Sequence, residues 1–145
     1  MTAFEPRNPA YADVIRASFA GQGLLAHLGA RLTAIEPGRV TIELDFGPHL
    51  TQQQGLFHGG AIGAIADSAA GYAALSLMPA GSEVVSVEYK INFARPATGE
   101  RLIARGEVVR SGKSLTVARA EVDIVRGSAS ETCAYVQATL FRVEG

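Results

Sequence analysis

Residues 55–78 read GLFHGGAIGAIADSAAGYAALSLM, and from position 61 onward the only charge in this stretch is Asp67. Eighteen residues with one acid raise two possibilities, a membrane span or a buried helix. Alanine and glycine are weak membrane anchors, and an Asp at the centre of a span costs about 2.5–3.5 kcal/mol on insertion scales. The segment therefore reads as a buried helix over residues 59–77. It is apolar nearly all round, so one flat sheet face cannot cover it. Either a sheet curls around it or a second copy of the chain covers what remains.

On both sides of this helix the hydrophobic period changes. Downstream, VVSVEYKINFA (residues 84–94) alternates, with Val85, Val87, Tyr89, Ile91 and Phe93 on one face and Ser86, Glu88, Lys90 and Asn92 on the other. After Arg95-Pro96-Ala97-Thr98-Gly99 come ERLIARGEVVR, the turn Ser111-Gly112-Lys113, SLTVARAEVDIV, the turn Gly127-Ser128, and ETCAYVQATLFRV. These read as four strands joined by short turns, which suits an antiparallel sheet. Upstream, LTAIEPGRVTIELDF is a hairpin signal around Pro37-Gly38, and GPHLTQQQGL reads as loop. A short helix over residues 9–20 is expected, with Asn8 as its N-cap and Gly21 and Gly23 ending it. The order is a helix, two strands, the central helix and four strands. This predicts an α+β class and one domain over residues 1–145.

Composition narrows the partners. The 145 residues are 48% hydrophobic and 19% charged, with a net charge of −1 and no block of like charge, so the footprint of a nucleic-acid binder is missing. A small molecule or another copy of the chain is the expected partner. The N-terminal stretch lacks a secretory pattern, which makes the cytoplasm the default location. Cys133 is the only cysteine, set in an alternating run, and reads as a buried structural thiol. His27, His49 and His58 lack metal-ligand spacing, and no HExxH or GxSxG occurs, so neither a metal site nor an α/β-hydrolase elbow is expected.

The chemistry concentrates on the opening stretch. Helical neighbours of Asp67, three and four positions away, are Gly63, Ala64, Ala70 and Gly71. The acid therefore projects from a patch with little side chain, which leaves room for a ligand or a partner backbone. It also fits a structural ion pair in the core. His58-Gly59-Gly60 lies at the helix start, where free N–H groups and the positive end of the dipole gather, a geometry suited to an oxyanion. The plain alternative is a helix-entry turn with His58 as cap. His58 and Asp67 are nine residues apart, about half a turn out of phase and about 13 Å along the axis. One helix cannot bring both to one reacting atom, so cooperation between them requires two chains related by a two-fold axis.

The runs HGGAIGAIADSAAGYAA and SVEYKINFARPATGERLIARGEVVRSGKSL resemble the hot-dog-fold acyl-CoA thioesterases of the phenylacetate-degradation (PaaI-like) type. The resemblance spans residues 32–141. It implies an antiparallel sheet of five to six strands wrapped around a long central helix, homodimers joined at their sheet edges with active sites at the dimer interface, and assembly into homotetramers. By position it implies Asp67 as catalytic nucleophile or general base and the Gly59 amide polarising the thioester carbonyl. His58 would support that loop or touch the carbonyl, and Ser86 would stand beside the attacking water. Gln52, with Gln54 nearby, matches the amide that positions substrate. Arg110, Ser111, Gly112, Lys113 and Ser114 match the segment that contacts coenzyme A. Taken alone, RSGKS is an ordinary hairpin turn, and it is no P-loop, because Glu107 stands where the first glycine belongs. The resemblance implies hydrolysis of an acyl-CoA thioester without cofactor or metal. A non-catalytic acyl-CoA-binding domain is the alternative, and hydratase chemistry on the same fold fits these residues poorly.

Overall fold

The computed structural model describes residues 3–145. Its central element is helix α3 (Gly59–Leu75), entered through His58, whose side chain accepts the Gly60 amide. Alanine supplies helix propensity along its length, and no proline interrupts it. At its far end the Ser76 hydroxyl donates to the Ala73 carbonyl and accepts the Gly38 amide, so the helix end is stitched to a neighbouring hairpin. Two residues short of the predicted end, the chain turns off toward Pro79 and Gly81, the latter at φ +82°.

That hairpin joins β1 (Arg31–Glu36) and β2 (Arg39–Asp45) around Pro37 and Gly38, where φ is +78° and glycine is favoured. The remaining strands are β3 (Ser82–Phe93), β4 (Arg101–Ser111), β5 (Leu115–Arg126) and β6 (Ala129–Glu144). All six form one antiparallel sheet in the order β1-β2-β4-β5-β6-β3. This is the hot-dog architecture: α3 packs on the inner face and meets every strand from β2 to β6.

The neighbour order adds what the turn signals do not carry. The four later strands are not all joined by hairpins, because β3 pairs with β6 at the sheet edge and the chain crosses back to the centre through residues 94–100 to start β4. Short turn signals such as Pro-Ala-Thr-Gly do not reveal which strand comes next to which. Near the N-terminus, α1 (Tyr11–Ala20) starts later than predicted. Its N-cap is Ala10, and the Asn8 side chain accepts the Ala10 amide instead, in a local turn. Gly23 does not end a helix but opens a second one, α2 (Gly23–Leu28). Six residues give too little periodicity to be seen in sequence.

Glycine at position 106 sets the distance between helix and sheet. A Cβ there would lie 2.3 Å from the Ala69 carbonyl and 2.6 Å from the Ala70 nitrogen, so the backbones of β4 and α3 touch with no side chain between them. Around this contact the inward-facing residues of β2, β4, β5 and β6 and the buried face of α3 form the core, with Ile42, Leu44, Ile65, Leu102, Val122 and Leu140 wholly buried. Each such side chain contributes about 1.5–3 kcal/mol relative to exposure. The outer face carries charges instead. Glu107 lies between Arg39 and Arg119, and the hydrogen bond from Arg119, aided by Arg39 and opposed by partial burial, holds its carboxyl below the usual range.

Replacing Gly106 by Val is expected to destabilise the protein by about 3 kcal/mol or more, since the obstruction is backbone on both sides. Gly23→Ala is the control, because a Cβ there meets nothing within 4 Å. Urea unfolding monitored by circular dichroism measures both, and equal midpoints would contradict the packing described.

Candidate active site

The start of α3 is held by the loop before it. The Thr51–Phe57 bridge and the bond from the His58 amide to the Leu50 carbonyl fix the entry angle. Within the loop, the Gln52 side-chain oxygen accepts the Gln54 and Leu56 amides, and its nitrogen donates to Gln54 Oε1 at 2.9 Å. Gln52 and Gln54 are thus bound to each other, and both shape this loop. His58 Nδ1 accepts the Gly60 amide at 2.7 Å, and its carbonyl accepts those of Ala61 and Ile62. Gly59 is left as the one amide of the first turn with no partner among the described residues. A donor at a helix start, with the dipole behind it, suits a developing negative oxygen.

Asp67 sits two turns further along. It is half-buried, and its Oδ1 accepts the Ser86 hydroxyl at 2.7 Å. The hydroxyl occupies one carboxylate oxygen and leaves the other without a hydrogen bond among the described residues. Asp67, Ser86, Ser18, Gln22, Tyr72 and Glu83 line a cavity of about 230 Å³. The Tyr72 hydroxyl receives the Gln22 amide at 2.7 Å and lies 3.0 Å from Ser18, which ties α1 and the turn before α2 to the central helix. Ser18 and Gln22 carry no motif, and only their place against Tyr72 reveals them.

Strict alternation misplaces half of β3. The ladder to β6 pairs Ser86 with Leu140 and then Glu88 with Thr139, so Val87 is an extra residue in a β-bulge. The bulge reverses the parity. Ser86 therefore faces α3 on the same side as Tyr89 and Phe93, rather than opposite to them. The contacts along the helix confirm this: Gly59 lies under the Phe93 ring, Gly63 under the Tyr89 hydroxyl, and Asp67 against Ser86.

The predicted coenzyme-contacting segment forms the turn between β4 and β5, closed by a bond from the Gly112 amide to the Leu115 carbonyl. Arg110 and Lys113 are exposed. Thr116, Leu140 and Ser86 lie in register across β5, β6 and β3, which sets this turn at the end of the sheet nearest Asp67 rather than Gly59. A larger hollow of about 360 Å³ on the outer face has Arg39, Arg105 and Arg119 balanced by Glu36, Glu107 and Glu121, and offers no nucleophile or base beside an amide donor. Among the described residues no group of three or more His, Cys, Asp or Glu is placed to hold a metal ion, and no helix is long and apolar enough to cross a membrane.

Residues 54–129 match the model of the thioesterase superfamily. A protein of Halobacterium salinarum, assigned provisionally by its name to the esterases, is 31% identical over 130 residues, or 86% of this chain and 83% of its own length. The crystal structure of a thioesterase family protein from Silicibacter pomeroyi superposes with a TM-score of 0.91 at 44% identity, over 93% of this chain and 99% of that one. The PaaI protein of the phenylacetic acid degradation operon of E. coli shares the fold, with a TM-score of 0.83 at 22% identity over 96% and 97% of the two chains. The chain belongs to the thioesterase superfamily, and thioester hydrolysis is its general chemistry.

Cys133 takes no part in that chemistry. Burial pushes its thiol up to about 11, and the neighbouring Asp123 charge acts in the same direction. A neutral thiol in the core is a poor nucleophile. Iodoacetamide at about pH 8 is expected to leave the folded protein unmodified and to alkylate the single cysteine once urea has unfolded it, as read by mass spectrometry.

Proposed function

We propose that the protein hydrolyses acyl-CoA thioesters at two equivalent sites, each built from two chains of a homodimer. The observation that carries this reading is the placement of two groups on α3. Gly59, whose amide has no partner among the described residues, and Asp67, the only carboxylate of the helix, both lie on the side toward β3, yet stand eight residues apart, about 12 Å along the axis. A thioester carbonyl cannot meet both in one chain. Antiparallel α3 helices related by a two-fold axis bring Gly59 of the partner subunit to Asp67.

Support for such a dimer comes from β3. It is an edge strand of 12 residues with one side of its ladder unpaired, and Val85, Val87, Tyr89 and Phe93 on it are all exposed. Long apolar edges are normally covered, and a second β3 supplies the missing ladder. Pairing of such dimers into a homotetramer extends the same reading.

At the shared site the Gly59 amide and the helix dipole stabilise the oxygen of the tetrahedral intermediate. Asp67 either attacks the carbonyl carbon, giving an acyl anhydride that water then hydrolyses to the free acid, or takes a proton from the water that attacks directly, and Ser86 holds the carboxylate in orientation. The thiolate of coenzyme A leaves and is protonated. His58 acts through the loop, by fixing the first turn that presents Gly59, and Gln52 shapes the approach to it. The exposed Arg110 and Lys113, with Ser111, Gly112 and Ser114 between and beside them, suit the phosphates of the coenzyme.

Asp67→Asn is expected to lower turnover by at least about 100-fold on any acyl-CoA the wild type hydrolyses, measured by release of free thiol. Unchanged turnover would reject Asp67 as the reacting group. Mixing Gly59→Pro chains with Asp67→Asn chains is expected to restore part of the activity, because one of the two sites in a heterodimer then has both an amide and a carboxylate. Absence of recovery under demonstrated subunit exchange would reject the shared site.

A further inference from the structure

The patch without side chains along α3 is not vacant. Gly59, Gly63 and Asp67 recur every four residues on the side of the helix that faces β3. A Cβ on Gly59 would lie 2.9 Å from the Phe93 ring, and one on Gly63 would lie 2.9 Å from the Tyr89 hydroxyl. The glycines make room for the chain's own aromatic rings. Only at Asp67, where the opposing residue is the small Ser86, does the space stay open, toward the cavity of about 230 Å³.

Gly63 is also the midpoint between Gly59 and Asp67. In a two-fold dimer that joins Gly59 of the partner subunit to Asp67, the midpoint of the pair falls on the axis, so Gly63 and the Tyr89 seated on it stand between the two sites. The Tyr89 hydroxyl makes no hydrogen bond among the described residues, and the residue is 42% exposed, so its ring forms a wall rather than part of the core.

We propose that Tyr89 is a specificity-determining residue that ends the acyl site on the side of the dimer axis, and that the substrates are consequently acyl-CoAs with compact acyl groups. This rests on the shared-site reading given above. The role is steric. The ring, not the hydroxyl, sets the limit.

The test is a series of straight-chain acyl-CoAs from acetyl to dodecanoyl, with kcat/KM measured for the wild type, Tyr89→Phe, Tyr89→Ala and Asp67→Asn. The wild type is expected to favour the shorter members. Tyr89→Ala is expected to raise the ratio of kcat/KM for the longest over the shortest substrate by at least about tenfold, the scale on which a pocket discriminates by a methylene or two. Tyr89→Phe is expected to keep the wild-type ratio. A wild type that hydrolyses dodecanoyl-CoA as well as acetyl-CoA, or a Tyr89→Ala profile that does not move while Asp67→Asn loses turnover, overturns the proposal and leaves the shared site standing. Full turnover in Asp67→Asn overturns the reading beneath it instead. Position is tested separately by Tyr89→Cys, expected to give a disulfide-linked dimer under mild oxidation. Phe93→Cys, about 13 Å along the strand from Tyr89 and so far from its own symmetry mate, is expected not to. Efficient cross-linking at 93 but not at 89 removes Tyr89 from the axis and overturns the proposal.

Discussion

Backbone contact between α3 and β4 governs the rest of this molecule. With no side chain on Gly106, the helix comes down onto the middle of the sheet, and flanking strands on both sides bend up to reach it. The small residues of the helix let this happen along much of its length, since Ala69, Ala70, Ala73 and Ala74 are all wholly buried. A helix seated higher would leave Ser86 out of reach of Asp67, and the Asp67 carboxylate would lose the hydroxyl that orients it. The geometry of the candidate site is thus a consequence of packing at a residue on the opposite side of the helix.

The fold was legible in the sequence because its signals are long. A helix of 17 residues with one charge, and three strands of 11 to 16 residues with largely alternating burial, each give many repeats of their period. The features missed are short or non-local. Helix α2 has fewer than two turns, and the neighbour order of β3 depends on a crossing that no turn residue encodes. Asp67, Gly59 and His58 stood out through charge and glycine placement, and Ser86 only through the family resemblance. Ser18, Gln22 and Tyr89 did not stand out, because each gains meaning only from what the fold sets opposite to it.

The parity of β3 shows how one residue changes the reading of a strand. Counting from Ser86 by twos puts Glu88 and Lys90 against the helix, and the structure puts Tyr89 and Ile91 there instead. Val87 absorbs the difference. The sequence offers no mark at this point, since valine is as good a residue for a regular strand as for a bulge.

The same bulge bears on how the chain avoids a hazard of its own edge. An open ladder of 12 residues with valine and aromatic side chains is a template onto which strands could add without limit. The extra residue at Val87 divides that ladder into two shorter runs, residues 82–86 and 88–93, whose hydrogen-bonding groups are out of phase with each other. The irregularity thus twists and interrupts the edge, one of the ways by which exposed strands are kept from open-ended stacking.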